Sequence, residues 1–334
     1  MVSNIAEAGH DDDDKTLRAF VRLNPDTAFM SFTESFRSWR RNFKAALPYV
    51  RRREHRILQR KYSEVIDGLG WAALPASQAR IYAIKPLAPA LSGEVCFFVS
   101  FAPSPQIKLH VRRHVEHLLR AGVNVVLILN TDLLPEQFVL DDELTQQLSG
   151  LFVRENVGFD FAAWAHMFTL CEGVDRWTRL FLVNDSVVGP LNAQDFARVM
   201  GRIRTSNADM LGLTESKLPL PHVQSFFLVF NNAALKSPEV QRIFQRILNL
   251  PTKELVIDVY ETRLTNVLVK SGLLCETLFP SLANDPHSAN DIYYRWDQLI
   301  QAGFPYIKTR ILTEFGASNK VKELVPVELL QPDS

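Results

Sequence analysis

The sequence is poor in cysteine and has no long apolar run. Its three cysteines, Cys96, Cys171 and Cys275, are far apart and show no paired spacing, which argues against a disulfide scaffold or a zinc site. No apolar stretch approaches the roughly 18 residues that span a bilayer, and no secretory signal opens the chain. These absences predict a cytoplasmic protein that is soluble or peripheral to a membrane.

Several catalytic signatures are missing as well. The strand predicted over residues 95–101 is followed by Ala-Pro-Ser-Pro instead of a glycine-rich phosphate loop, which disfavours a dinucleotide fold and a P-loop. The sequence has neither a GxSxG nucleophile elbow nor an HExxH zinc motif. The formal net charge is zero, so charge alone gives no argument for nucleic acid, and we predict no such partner.

The first 90 residues differ in composition from the rest. Residues 1–16 are a polar tail, in which the Asp-Asp-Asp-Asp-Lys run at 11–15 resembles an engineered protease-cleavage site. Residues 17–90 predict a helical basic N-terminal extension, because residues 37–61 interleave ten Lys and Arg side chains with apolar ones. This stretch fits a charged helical cap on the main domain, a contact with the cytoplasmic face of a membrane, or a contact with nucleic acid.

From residue 91 to residue 334 the pattern predicts an α/β domain. Short apolar runs alternate with segments in which apolar residues recur at helical spacing. This alternation indicates a mostly parallel open sheet with helices on both faces. The predicted strands are residues 95–101, 123–129, 152–154, 179–183, 208–213 and 225–230.

Residues 152–191 hold the strongest candidate site. They predict a strand, a polar turn around Gly158, an amphipathic helix, a second strand and a polar tip. Ligands of open α/β sheets bind outside the carboxyl ends of the strands, so the turn and the tip outline a binding site. Each residue alone also fits an ordinary turn, since turns favour Asn and Asp. The candidates are Asn156, Gly158, Asp160, Asn184, Asp185 and Ser186.

This arrangement resembles the A-type glycosyltransferase fold, and several motifs resemble the rhamnan synthesis F family over about residues 94–315. That resemblance implies a bacterial enzyme of surface-polysaccharide assembly. It implies transfer of rhamnose or a related deoxyhexose from a nucleotide diphosphate to a glycan or a lipid-linked acceptor. The motifs are RENVGFDFAAW, LFLVNDSVVGPL, DMLGLTES, HVQSFFLVFNNAAL and WDQLIQAGFPYIKTRIL.

The resemblance also implies roles for matched residues. Asp185 takes the place of a carboxylate that holds Mg²⁺ or Mn²⁺ against the donor diphosphate. The tip has one carboxylate where the fold commonly has two, so a cationic side chain is the alternative partner of the diphosphate, and Lys308 is placed to reach it. The donor and acceptor residues implied are Asn156, Gly158, Asp160, Asn184, Ser186, His222, Gln224 and Lys308.

Inversion at the sugar requires a carboxylate that takes the acceptor's proton. Glu261 is the first choice, on a helix expected to open near it and to end at Gly272, and Glu215 is the second. An ordinary first-turn glutamate, favoured by the helix dipole, is the alternative for Glu261.

Two rival functions and one further cluster complete the predictions. A nucleotidyltransferase would share the strand-end carboxylates but needs an early glycine-rich loop. A glycan- or nucleotide-sugar-binding scaffold without catalysis fits the incomplete tip. His110, His114 and His117 share one helix stripe, which suits zinc but is expected to be a solvated face.

Overall fold

The computed structural model describes residues 73–282 and 290–330. The acidic tail and the basic stretch at 37–61 lie outside these residues, and the predictions for them stay predictions. Within the described part, no helix is both long and apolar enough to cross a membrane.

A large mixed sheet forms the centre of the protein. Its strands lie in the order β1-β4-β3-β2-β5-β9-β7-β10, with β8 paired to β7, while β6 and β11 form a separate two-stranded ribbon. The strands are β1 Ile81–Lys85, β2 Gly93–Phe101, β3 Asn124–Thr131, β4 Gly150–Glu155, β5 Trp177–Asn184, β6 Val187–Val188, β7 Met210–Ser216, β8 His222–Val223, β9 Phe227–Asn231, β10 Cys275–Phe279 and β11 Ile307–Lys308.

The predicted α/β class is confirmed, but the sheet is more mixed than the sequence pattern indicated. Parallel pairing joins β4, β3, β2 and β5, and also β7 with β10. Strand β9 is antiparallel to both of its neighbours, β5 and β7. The short connection from β7 through β8 to β9 explains this direction, because a parallel return needs a crossover of a dozen or more residues.

Helices cover both faces of the sheet. The helices are α1 Leu109–Arg120, α2 Asp142–Gln147, α3 Phe159–Leu170, α4 Ala193–Thr205, α5 Asn232–Lys236, α6 Pro238–Arg246, α7 Lys253–Val256, a π-helical turn Ile257–Glu261, α8 Thr262–Lys270, α9 Asp291–Tyr294, α10 Trp296–Gln301, α11 Thr309–Phe315 and α12 Asn319–Leu324. Short 3₁₀ turns occur at Ala76–Gln78, Pro135–Gln137, Val174–Arg176 and Val327–Leu329.

The core is divided by the sheet into two apolar layers. Cys96 and Phe98 of β2 pack in the layer that contains α1 and α4. Phe97 and Val99, which point the other way, pack in the layer that contains α3 and α6. Successive residues of β2 point to opposite faces of the sheet, and they are apolar on both because both faces are buried.

The sheet begins before the domain boundary placed at residue 90. Strand β1 is antiparallel to β4, with Ile81 opposite Arg154 and Tyr82 opposite Val153. Residues 81–85 are thus an edge strand of the sheet and not part of a helical extension.

The histidine stripe of α1 was wrongly expected to be solvated. His110 and His114 are buried, with exposed fractions of 7% and 1%. The ring of His114 packs edge-on against Phe98, and its Nε2 lies 2.8 Å from the hydroxyl of Tyr306. Burial, with smaller contributions from His110 and His117, lowers the pKa of His114 to about 3.

This buried histidine should make the protein sensitive to acid. The unfolded chain takes up a proton near pH 6.5, while folded His114 stays neutral until about pH 3, so stability should fall as the pH drops through that interval. Between pH 7 and pH 5 the loss from this group is about 2 kcal/mol, at about 1.4 kcal/mol per pKa unit. Urea unfolding at both pH values should show a smaller loss for His114→Gln than for the wild type. Equal losses in the two proteins would contradict this assignment.

Candidate functional site

The candidate site lies where strands β2 and β5 end and helix α3 begins. These strands are parallel neighbours, with Val99 opposite Asn184, so their carboxyl ends meet at one edge of the sheet. The polar tip after β5 therefore faces the residues that follow β2, as expected for a binding crevice of an open α/β sheet.

The turn before α3 has an unusual backbone. Gly158 has a φ of 73°, and Phe159, a residue with a side chain, follows with a φ of 58°. The side-chain amide of Asn130, at the end of β3, donates to the carbonyl of Phe159 over 3.1 Å. Positive φ values outside glycine concentrate at functional sites, where the surrounding structure holds them. The turn places Asp160 in the first turn of α3, against the tip.

Gly158→Ala should destabilise the protein through two effects. The positive φ disfavours any side chain, and the new Cβ would lie 2.5 Å from the Cβ of Ala162 and 2.7 Å from the Cα of Asn249. Strain and overlap together should cost about 2–4 kcal/mol in urea unfolding. Gly122→Ala is the matched control, since Gly122 has a φ of 81° but no atom within 4 Å of the new Cβ. A loss no larger than that of the control would contradict the steric part of the argument.

A chain of hydrogen bonds joins α3 to the ribbon strand β11. The side-chain amide of Asn184 donates to Asp160 Oδ2 over 2.6 Å, and Asn184 Oδ1 accepts from the Ser186 hydroxyl over 2.7 Å. The ammonium of Lys308 then donates to Ser186 Oγ over 2.9 Å. Asp160, Asn184, Ser186 and Lys308, all predicted from the sequence, are thus brought together.

The charges in this group influence one another. Burial raises the pKa of Asp160 above its ordinary value, and the negative charge of Glu261 raises it further, against hydrogen bonds from Asn184 and the Phe161 amide. Burial lowers the pKa of Lys308 to about 8, opposed chiefly by Glu261. Titratable groups that shift one another in this way are typical of functional sites.

Glu261 belongs to this cluster, but it does not stand at a helix start. The helical segment begins earlier, at Lys253, where Thr252 accepts from the Leu255 amide as the N-cap. Glu261 is the last residue of the π-helical turn, and its Oε1 accepts from the backbone amide of Ser225 over 3.1 Å. Single π turns inside helices often occur at functional sites. The expected helix start near Glu261 was wrong because the N-cap at Thr252 begins the helix two turns earlier.

Asp185 is held by donors from the end of β2. Its Oδ2 accepts from the hydroxyl of Ser100 over 2.8 Å, from the backbone amide of Phe101 over 3.1 Å and from the ammonium of Lys108 over 2.8 Å. Mg²⁺ needs several oxygen ligands in open positions. The described residues include no group of three or more His, Cys, Asp or Glu side chains that could hold a metal ion. At Asp185 Oδ2, the three donors take the place that a metal ion bound to that oxygen would need.

The residues predicted for the acceptor side lie along β7 and β8. Gln224 accepts from the hydroxyl of Thr214 over 2.7 Å, and His222 Nδ1 lies 2.7 Å from the carbonyl of Leu220. Gln224 is joined to the main cluster through its neighbour Ser225, which contacts Glu261. Glu215 instead accepts from the amide of Ser281 over 3.1 Å. Asn156 lies half-buried in the turn that precedes Gly158.

Sequence reasoning missed two cationic residues beside the turn and the tip. Lys108, just before α1, pairs with Asp185. Arg154, at the end of β4, is fully buried and donates to the carbonyls of Val157 and Ala76 and to the side chain of Asn249. Arg154 opens the motif RENVGFDFAAW, which was the signal that could have identified it, whereas Lys108 lies in none of the motifs.

An apolar cavity lies between α6 and the helical segment that carries Glu261. Its volume is about 190 Å³, and Phe161 and Tyr260 contribute to its wall. These two residues are the chain neighbours of Asp160 and Glu261. The lining includes neither Asp160 nor Glu261, so the cavity adds nothing to the candidate site.

Comparisons with known proteins give a family match and curated relatives. The family described as rhamnan synthesis protein F matches residues 125–330. Two curated proteins, both called virulence protein VirA and both from Vibrio anguillarum, are each 26% identical to this chain over 208 residues. One of them comes from strain ATCC 68554 / 775. That match covers 53% of this chain and 66% of VirA, so the chain spans just under two thirds of the length of the curated relatives it matches.

Proposed function

Because the chain belongs to the rhamnan synthesis protein F family, we propose that it is a glycosyltransferase of polysaccharide synthesis. The donor is a nucleotide-diphosphate sugar, with rhamnose or a related deoxyhexose favoured by the family's description. The acceptor is a glycan or a lipid-linked glycan. The observation that carries the proposal is the hydrogen-bonded chain of Asp160, Asn184, Ser186 and Lys308 beside the carboxyl end of β5.

The chemistry requires a base and a place for the leaving group. The acceptor oxygen forms a bond to the anomeric carbon while the bond from that carbon to the diphosphate oxygen breaks. The diphosphate leaves with the electron pair, and the acceptor's proton passes to a carboxylate. Direct displacement of this kind inverts the anomeric carbon.

Glu261 is the proposed base. The Ser225 amide orients its carboxylate, and its charge influences both Asp160 and Lys308. Glu215 stays the second candidate, because its carboxylate is held by Ser281. We assign binding of a donor hydroxyl to Asp160, and its fixed position between Asn184 and the Phe161 amide supports that role.

A nucleotide-sugar-binding scaffold without catalysis is the second candidate function. The observation that favours it is the engagement of Asp185 Oδ2 by three donors, which occupies one oxygen of the single carboxylate at the tip. The two functions differ in turnover but not in binding.

The first experiment is thermal unfolding with a panel of nucleoside diphosphates and nucleotide sugars. A ligand that binds only the folded protein raises the unfolding temperature by mass action. We expect a shift with one nucleotide, followed by release of that nucleoside diphosphate when a glycan acceptor is added. Binding without release would favour the scaffold, and no shift with any nucleotide would contradict both functions.

A further inference from the structure

The tip after β5 contains two lysines with different partners. Lys108 forms an ion pair with Asp185, with 2.8 Å between Nζ and Oδ2. Lys308 instead donates to a neutral hydroxyl, that of Ser186, and lies 4.6 Å from the centre of the Phe226 ring. The tip therefore has one neutralised cation and one cation without a paired carboxylate among the described residues.

We propose that Lys308 neutralises the donor's diphosphate. In this proposal Asp185 is not a metal ligand but joins the ends of β2 and β5 through its hydrogen bonds. This inference rests on the proposed function, since it names the group that binds the leaving phosphate. In this inference the side chain of Lys308 takes the role of the metal ion that the resemblance implies.

The contacts of Asp185 support this structural role. A divalent cation at Oδ2 would have to displace the Lys108 ammonium and would lose the amide of Phe101 and the hydroxyl of Ser100 as donors to that oxygen. Two cations at one carboxylate oxygen repel each other strongly in a half-buried site. The carboxylate is thus used to hold the end of β2 beside the end of β5.

The setting of Lys308 supports its role as the phosphate's partner. Antiparallel pairing with β6 places Lys308 opposite Val187 at the tip. Ile307 before it and Ile311 after it pack in a third apolar cluster with Val188 and Leu191, so the backbone that carries the ammonium is fixed. A preorganised cation stabilises a developing charge without reorganisation at the moment of reaction.

Burial also makes Lys308 a good site for an anion. An ammonium in a buried position is unfavourable unless it is paired, and its Ser186 contact uses one of its three N–H donors. The lowered pKa of about 8 is consistent with a cation that lacks a full counter-charge. A diphosphate provides that charge and acceptors for the remaining donors. Lys308 only donates hydrogen bonds as the diphosphate leaves, so no proton changes place.

The test is binding of the nucleoside diphosphate identified above, measured by calorimetry in EDTA and in Mg²⁺ or Mn²⁺. We expect equal affinity in all three conditions for the wild type. Lys308→Met should weaken the nucleoside diphosphate about tenfold or more, as expected for a hydrogen bond to a charged group, but should leave the parent nucleoside unaffected. Lys308→Arg should retain part of the affinity, and Lys236→Met, which changes an exposed lysine of α5, is the matched control.

The outcomes separate this inference from the function on which it rests. Affinity that requires a metal and is lost in Asp185→Asn would overturn the inference and leave the glycosyltransferase proposal standing. Equal affinity in Lys308→Met and the wild type would also overturn it. Failure of every nucleotide to bind would reject the proposed function, and the inference with it.

Discussion

Glu261→Gln is expected to reduce the rate of sugar transfer by about 10²- to 10⁴-fold, the usual contribution of a positioned general base. Glutamine keeps the shape and an oxygen that can accept from the Ser225 amide, but it cannot take the acceptor's proton. Donor binding should change little, so the loss should appear in kcat. The measurement is release of the nucleoside diphosphate at saturating donor.

Two control variants sharpen this prediction. Glu254→Gln lies on the same helical segment but is exposed, and it should retain full activity. Glu215→Gln tests the second candidate base. A loss in Glu215→Gln with normal activity in Glu261→Gln would reverse the assignment, because their carboxylates contact different segments of the chain.

Arg154→Met is expected to lower the free energy of unfolding by about 3–5 kcal/mol, in the range for breaking a buried charged network. Arg154 is fully buried, and its guanidinium donates to Val157 O over 2.6 Å, to Ala76 O over 3.2 Å and to Asn249 Oδ1 over 2.7 Å. Methionine fills much of the volume but removes the guanidinium donors from Val157 O and Asn249 Oδ1, while Ala76 O keeps the Ala79 amide. Unsatisfied buried acceptors carry the full cost of their lost hydration.

Urea unfolding measures this effect, with Arg80→Met as the control. Arg80 pairs with Glu155 at the surface, and exposed ion pairs add little to stability. Because Arg154 ties the turn before α3 to the loop at Asn249, nucleotide binding should weaken together with stability. Similar stabilities for Arg154→Met and Arg80→Met would show that the turn is held in another way.

The strands were predictable because local patterns determined them. The apolar runs at residues 95–101 and 179–183 are long enough for a strand but too short for a typical helix. Both lie in the sheet as expected. The turn at Gly158 and the tip at Asn184 were also found, since turn chemistry is local. The rule that strand ends meet at one edge indicated Asp160, Asn184 and Ser186, whereas Lys308 was indicated by the family resemblance.

The contacts that the sequence did not reveal depend on partners far along the chain. His114 is buried because Tyr306, 192 positions later, contacts its ring nitrogen. Asp185 is engaged because Lys108, 77 positions earlier, reaches its carboxylate. The direction of β9 and the π-helical turn before Thr262 likewise depend on packing that no short window of sequence contains.

The edge strand β1 has a consequence for how the protein can be shortened. A protein that starts at residue 91 would lack β1, and the backbone groups of β4 that pair with it would be open to solvent. Unpaired edges of this kind recruit strands from other molecules, so such a truncation should form aggregates visible by light scattering. A protein that starts at residue 73 keeps the 3₁₀ turn and the edge strand, and it should stay dispersed. The safe cutting point therefore lies ahead of the first strand, where the turn that binds Arg154 is preserved.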